Sequence, residues 1–176
     1  MALTYRIYDQ KGVYFITCTV NQWVDVFTRK DYVDILLESL RYCQNNKGLE
    51  IFSWVVMTNH IHLIISTKKD NLSDIIRDFK KFTASQITVA IKNNTRESRK
   101  NWLLWLLKKE GSILFWKEGY HAEEITDLDF FNVKQDYIHL NPVRAGLVEK
   151  EEEYLYSSCG EVYGIRKGLL ELSIFA

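Results

Sequence analysis

The stretch WVVMTNHIHLII, Trp54–Ile65, decides the fold. Two apolar, β-branched runs flank a short polar hinge, Thr58-Asn59. Working outward, Glu50–Met57 and His60–Ser66 read as two strands of a hairpin. On a strand, alternate side chains share a face. His60 and His62 therefore project together, and Ile61 points the other way. Two adjacent imidazoles make half of a divalent metal site. A bare pair of alternate histidines is a weak pattern, and two surface histidines on a half-exposed strand are the other reading. The chain has 4 histidines in all, and two of them fall in this tripeptide.

Further elements lie on both sides. Val13–Val20 is β-branched and aromatic and reads as a strand. Arg29–Asn46 carries Val33, Leu36, Leu37 and Leu40 at helical spacing, and Gly48 follows as a stop. Asn71–Lys92 reads as a long helix with Leu72, Ile75, Ile76, Phe79 and Phe82 on one face. Arg99–Glu110 reads as a short helix and Ser112–Trp116 as a fourth strand. Asp127–Leu140 reads as a last helix, ended by Asn141-Pro142 because proline disfavours helical geometry in the residue before it. This order predicts an α+β fold. Its form is a split β-α-β antiparallel sheet, ferredoxin- or RRM-like, with helices packed on one face.

The chain has 176 residues, 47% hydrophobic and 26% charged, which fits a globular domain rather than disorder. Three cysteines without a Cys-x-x-Cys pair argue against a zinc ribbon or disulfide framework. Reduced thiols suit a cytoplasmic protein. Met1–Gln10 lacks the pattern of a secretory leader. No apolar run approaches the ~20 residues of a bilayer span, so no membrane is expected. The glycines form no phosphate-binding fingerprint, which disfavours ATP- and NAD-dependent chemistry. The 23 basic and 23 acidic residues cancel, yet residues 66–120 carry twelve positive and six negative charges. That basic middle could hold a polyanion or simply solvate helix faces.

Three segments together carry a resemblance: WVVMTNHIHLII (Trp54–Ile65), FWKEGYHAEEI (Phe115–Ile125) and YIHLNPVRAGLV (Tyr137–Val148). The chain resembles the single-tyrosine HUH transposases of the insertion-sequence-200 type, and within them the branch associated with repetitive extragenic palindromes. The likeness runs from about Tyr14 to Tyr156. It implies a catalytic domain over residues 1–150 and a tail, 151–176, packed on that domain or associating with it. It implies Tyr137 as nucleophile, with His60, His62 and Asn141 holding Mg²⁺ or Mn²⁺. The turn departs from the family's Met-Pro-Asn-His, since Thr58 stands where the proline would be.

The implied reaction is cleavage and rejoining of single-stranded DNA through a 5′-phosphotyrosine. A phenol is ordinarily a poor nucleophile near pH 7, so a base or cation must activate it. The implied partner is single-stranded DNA with hairpin or palindromic ends, and a homodimer stays open. Arg77, Lys80, Lys81 and Arg144 are candidate phosphate contacts, with a solvated surface as the alternative. Trp23, Trp116 and Tyr120 could stack on bases, with core packing as the alternative for the tryptophans. His121 is a candidate ligand or substrate contact, and His139 reads as structural. The competing functions are a non-cutting single-strand binding module of the same fold and a water-using hydrolase.

Overall fold

The computed structural model describes residues 6–175. Residues 1–5, part of the stretch read for a leader, lie outside them, as does Ala176. Strand β1 spans Tyr14–Thr19, helix α1 Lys30–Lys47, β2 Leu49–Val56, β3 His60–Thr67 and helix α2 Leu72–Asn93. Helix α3 (Lys100–Leu106) leads into a two-residue ladder of β4 (Lys108–Lys109) and β5 (Ser112–Ile113). Strand β6 (His121–Glu124), helix α4 (Leu128–Arg144) and a single turn, α5 (Cys159–Val162), follow.

The main sheet has the order β2-β3-β1-β6. Every neighbouring pair is antiparallel. Strands β1 and β2 thus run parallel with β3 between them, the split β-α-β arrangement expected from the sequence. The fourth strand is a correction. It is His121–Glu124, paired along β1, while of Ser112–Trp116 the first two residues form a strand in the small ladder and Trp116 makes an isolated bridge to Val20. The apolar residues of the latter stretch enter the core instead. Phe115 and Trp116 are buried, and the Trp116 indole N–H donates to Thr83 Oγ1 at 3.0 Å.

The sheet divides the core in two. Tyr14, Ile16 and Cys18 of β1 and Ile61, Leu63 and Ile65 of β3 pack against α1 and α2. Phe15, Val55 and Ile64 face the other way, toward Phe131 and Ile138 of α4. Helices therefore cover both faces rather than the single face expected from the sequence, with the two early ones on one side and α4 on the other. Phe82 of α2, expected on the buried stripe, is 54% exposed.

Local chemistry sets the ends of these elements. Gly48 closes α1 in the left-handed region, at φ 77°, where a side chain would be strained. Asp127 caps α4, accepting from the Phe130 N–H at 2.8 Å. That helix does not stop at Leu140. It continues through Pro142 to Arg144, because a proline removes one N–H without forbidding the turn before it when packing holds the helix. Pro142 is buried there.

The tail returns along β2. The Val56 N–H donates to the Tyr156 carbonyl, the Ser158 N–H to Trp54 and the Ser173 N–H to Ile51. Cys18, Cys43 and Cys159 are all buried and unpaired. No helix among the described residues is long and apolar enough to cross a membrane.

Candidate active site

The register of the sheet builds the site. Thr17 of β1 lies opposite His62 of β3 on one side and opposite His121 of β6 on the other. Thr19 lies opposite His60. These side chains share the face that α4 covers. Along α4, Lys134, Tyr137, Asn141 and Arg144 recur at steps of three and four, forming one stripe. Strand period two and helix period 3.6 thus meet at a single place.

The two imidazoles are 4.7 Å apart between ring centroids. The Tyr137 ring is 5.3 Å from His62 and edge-on to it. Phe15 stacks on the His62 ring itself, with the centroids 5.3 Å apart. The Arg144 guanidinium lies 5.3 Å from the centre of the Tyr137 ring. Tyr137 remains 40% exposed, so a large substrate can reach its hydroxyl.

Hydrogen bonds orient both histidines. His60 Nδ1 donates to Asn59 Oδ1 at 2.7 Å, because an amide oxygen can only accept. The same Asn59 amide donates to the Trp23 carbonyl and to Asp25 Oδ1. His60 Nε2 therefore keeps its lone pair. His62 Nδ1 bonds Thr17 Oγ1 at 2.8 Å. His62 Nε2 is buried and has no partner. Burial pushes the His62 pKa down to about 3, and neighbouring His60 and Lys134 add to the effect. Burial also lowers His60, partly opposed by a hydrogen bond to Asn141 that favours the protonated ring. Both rings are neutral near pH 7, the form that ligates metals.

A divalent cation fits this donor set. A buried, unpartnered imidazole nitrogen is costly unless something binds it. His62 Nε2 is such an atom, with His60 beside it and Asn141 within hydrogen-bonding reach of His60. Among the described residues no three His, Cys, Asp or Glu side chains cluster, so an amide oxygen, water or phosphate would complete the shell.

The turn lacking the family proline is held by other means. Thr58 Oγ1 donates to Asp25 Oδ1 at 2.7 Å, and the Met57 N–H donates to the His60 carbonyl at 2.8 Å. A side-chain bond thus does locally what a fixed φ would do.

The other candidates divide by face. Arg77, Lys80 and Lys81 belong to α2, on the layer opposite the histidines. Arg77 is paired with Asp74 and Asp78. Lys80 donates to the carbonyls of Lys117 and Gly119, and its half-buried ammonium is shifted down by desolvation. Tyr120 lies 6.0 Å from that ammonium, on the same side. His121 is on the histidine face, where its Nε2 and Glu123 Oε1 are 2.7 Å apart. His139 is buried, with its Nε2 3.0 Å from Ser158 Oγ, and stands apart from the site.

Three contributors were not read from the sequence. Thr17 and Asn59 fix the ring orientations, and only strand pairing reveals the former. Lys134 sits one turn before Tyr137 and ion-pairs with Glu123 Oε2 at 2.8 Å. Helical spacing from Tyr137 could have flagged it.

Known proteins resemble this chain over most of its length. The family model described as "Transposase IS200 like" matches residues 10–141. A protein of Haemophilus influenzae described as a REP-associated tyrosine transposase is 24% identical over 153 residues, covering 87% of this chain and 82% of its own. A solved structure of a REP-associated tyrosine transposase bound to a REP hairpin has a TM-score of 0.69 and 21% identity. That match covers 100% of this chain and 96% of the other, and it shows the shared fold. The chain belongs to the IS200-like transposase family.

Proposed function

We propose that this transposase breaks and rejoins single-stranded DNA through Tyr137, with a divalent cation at His60 and His62. One observation carries the reading: a partly exposed tyrosine stands edge-on to a neutral, oriented histidine pair whose buried Nε2 has no protein partner. The phenol oxygen bonds to the scissile phosphorus as the P–O3′ bond breaks. The phenol proton leaves to solvent, and the departing oxygen takes up a proton to become a 3′-hydroxyl. The downstream strand stays on Tyr137 as a 5′-phosphotyrosine. A second 3′-hydroxyl can reverse the step on another strand. One phosphodiester replaces another, so no nucleotide hydrolysis is needed.

His60, His62 and the Asn141 amide would hold Mg²⁺ or Mn²⁺, with imidazole favouring the latter. Bound there, the cation supplies polarisation of the phosphate and neutralises charge that develops on it. Asn59 leaves the His60 Nε2 lone pair available, and Thr17 engages His62 Nδ1 so that Nε2 is the nitrogen turned toward the cation. Arg144, close to the phenol ring, suits the charge of an incoming phosphate. Hairpin-bearing DNA is the proposed substrate. The fold-level relative that holds a REP hairpin supports that choice.

A covalent trap tests this. Single strands from the DNA flanking its own gene, labelled on the 3′ side, are mixed with protein and Mn²⁺ or Mg²⁺. A denaturant-resistant adduct is expected, lost on chelation and absent in Tyr137→Phe. Tight binding without any adduct would instead favour the non-cutting module.

A further inference from the structure

Trp23 is a large aromatic side chain left at the surface beside the site. It is 55% exposed, whereas Trp116, the other tryptophan weighed for stacking, is buried in the core. Its ring centre lies 6.2 Å from that of His60, at 74°. The Lys117 ammonium sits 4.2 Å from the indole centre. An aromatic plane and a cation at one spot match the chemistry of a nucleotide, which offers a flat base and an anionic phosphate.

The backbone beneath it is also unusual. Gln22 and Trp23 both have positive φ, 57° and 55°. Two bulky residues in the left-handed region are disfavoured, and surrounding contacts must hold them there. Those contacts are visible. The Trp23 N–H donates to the Val20 carbonyl, and the Asn21 N–H to Phe115. The Asn59 amide grips the Trp23 carbonyl at 3.2 Å while its oxygen orients His60. One side chain thus holds both the Trp23 backbone and a candidate metal ligand.

We propose that Trp23 is a stacking platform for an unpaired base of the DNA strand next to the scissile phosphate, with Lys117 facing the adjoining backbone. The proposal rests on the reading of this site as one that engages single-stranded DNA. It assigns the site a preference for unpaired over paired nucleotides at that position, since a base must leave its helix to stack on protein.

Binding without chemistry isolates the platform. In a Tyr137→Phe background, a fluorescent single-stranded oligonucleotide from the gene's flank is titrated by anisotropy, with its duplex form as comparison. Trp23→Ala should weaken single-strand binding by about 5- to 150-fold, the usual worth of one stacked base. Trp23→Tyr should retain most affinity and Trp23→Leu should not. One abasic position near the cleavage point should abolish the difference between Trp23→Ala and its parent. Unchanged melting temperatures show that each variant is folded. Affinity within about twofold for Trp23→Ala, or full affinity for Trp23→Leu, would overturn the proposal. The covalent trap separates the two claims. Loss of stacking on mutation with no adduct in wild type sinks the tyrosine chemistry alone. An adduct with binding indifferent to Trp23 sinks the platform alone, and no single-strand binding at all sinks both.

Discussion

At the scale of single residues, the side chains that touch the imidazoles matter as much as the imidazoles. Thr17 Oγ1 on His62 Nδ1 leaves Nε2 as the only vacant nitrogen of that ring. Thr17→Val should keep the fold yet lower metal affinity by about 10- to 100-fold, with Thr17→Ser close to wild type. Metal-dependent shifts in melting temperature would show it. Tyr137→Phe keeps the ring against His62 and removes only the oxygen. It should abolish the covalent adduct and leave strand binding nearly unchanged, as gel analysis and anisotropy would record. His60 and His62 were legible in the sequence because strand alternation is a local rule. Thr17 was not, because a threonine acquires its role only when a register places it across from a particular histidine.

At the scale of elements, α4 carries Tyr137, the proposed nucleophile, so its seating would govern the proposed chemistry. Ile138, fully buried against the sheet, is next to Tyr137 in the chain. Ile138→Ala should cost roughly 2–5 kcal/mol of stability in urea unfolding, and Ile138→Val roughly 0.5–1.5. The alanine variant should also lose adduct yield beyond its folded fraction. The strand–helix alternation up to α2 was readable from periodicity. The fourth strand was not. His121–Glu124 is polar and short, with no alternation of its own, and is a strand only because β1 offers it a partner. The apolar Ser112–Trp116 looked more like a strand because burial and strand propensity favour the same residues. Lys80 reads as a phosphate contact, yet it fastens the 117–119 loop to α2. Lys80→Met should therefore loosen that loop, seen as faster amide exchange around Lys117.

At the scale of the whole molecule, three histidines are held below their ordinary pKa by burial: His60, His62 at about 3 and His139 at about 4. The unfolded chain takes up these protons near pH ~6.5, while the folded chain resists them. Between those values the unfolded state binds more protons, so stability is full above pH ~6.5 and falls as the pH drops. Each such histidine contributes a slope of up to about 1.4 kcal/mol per pH unit. His139→Gln should remove about one proton from that slope in urea titrations between pH ~5 and ~6.5.

The tail's bonds to Trp54, Val56 and Ile51 have a consequence for association. Strand β2 is an outermost strand, and its free peptide groups would otherwise be a template for any extended chain, including a second copy. The protein supplies that extended chain from its own sequence. Deleting residues 154–175 should leave a sticky border of Val55, Val56 and Trp54, with self-association that rises with concentration in light scattering. A second copy adding a strand along β2 at these positions would first have to displace the tail.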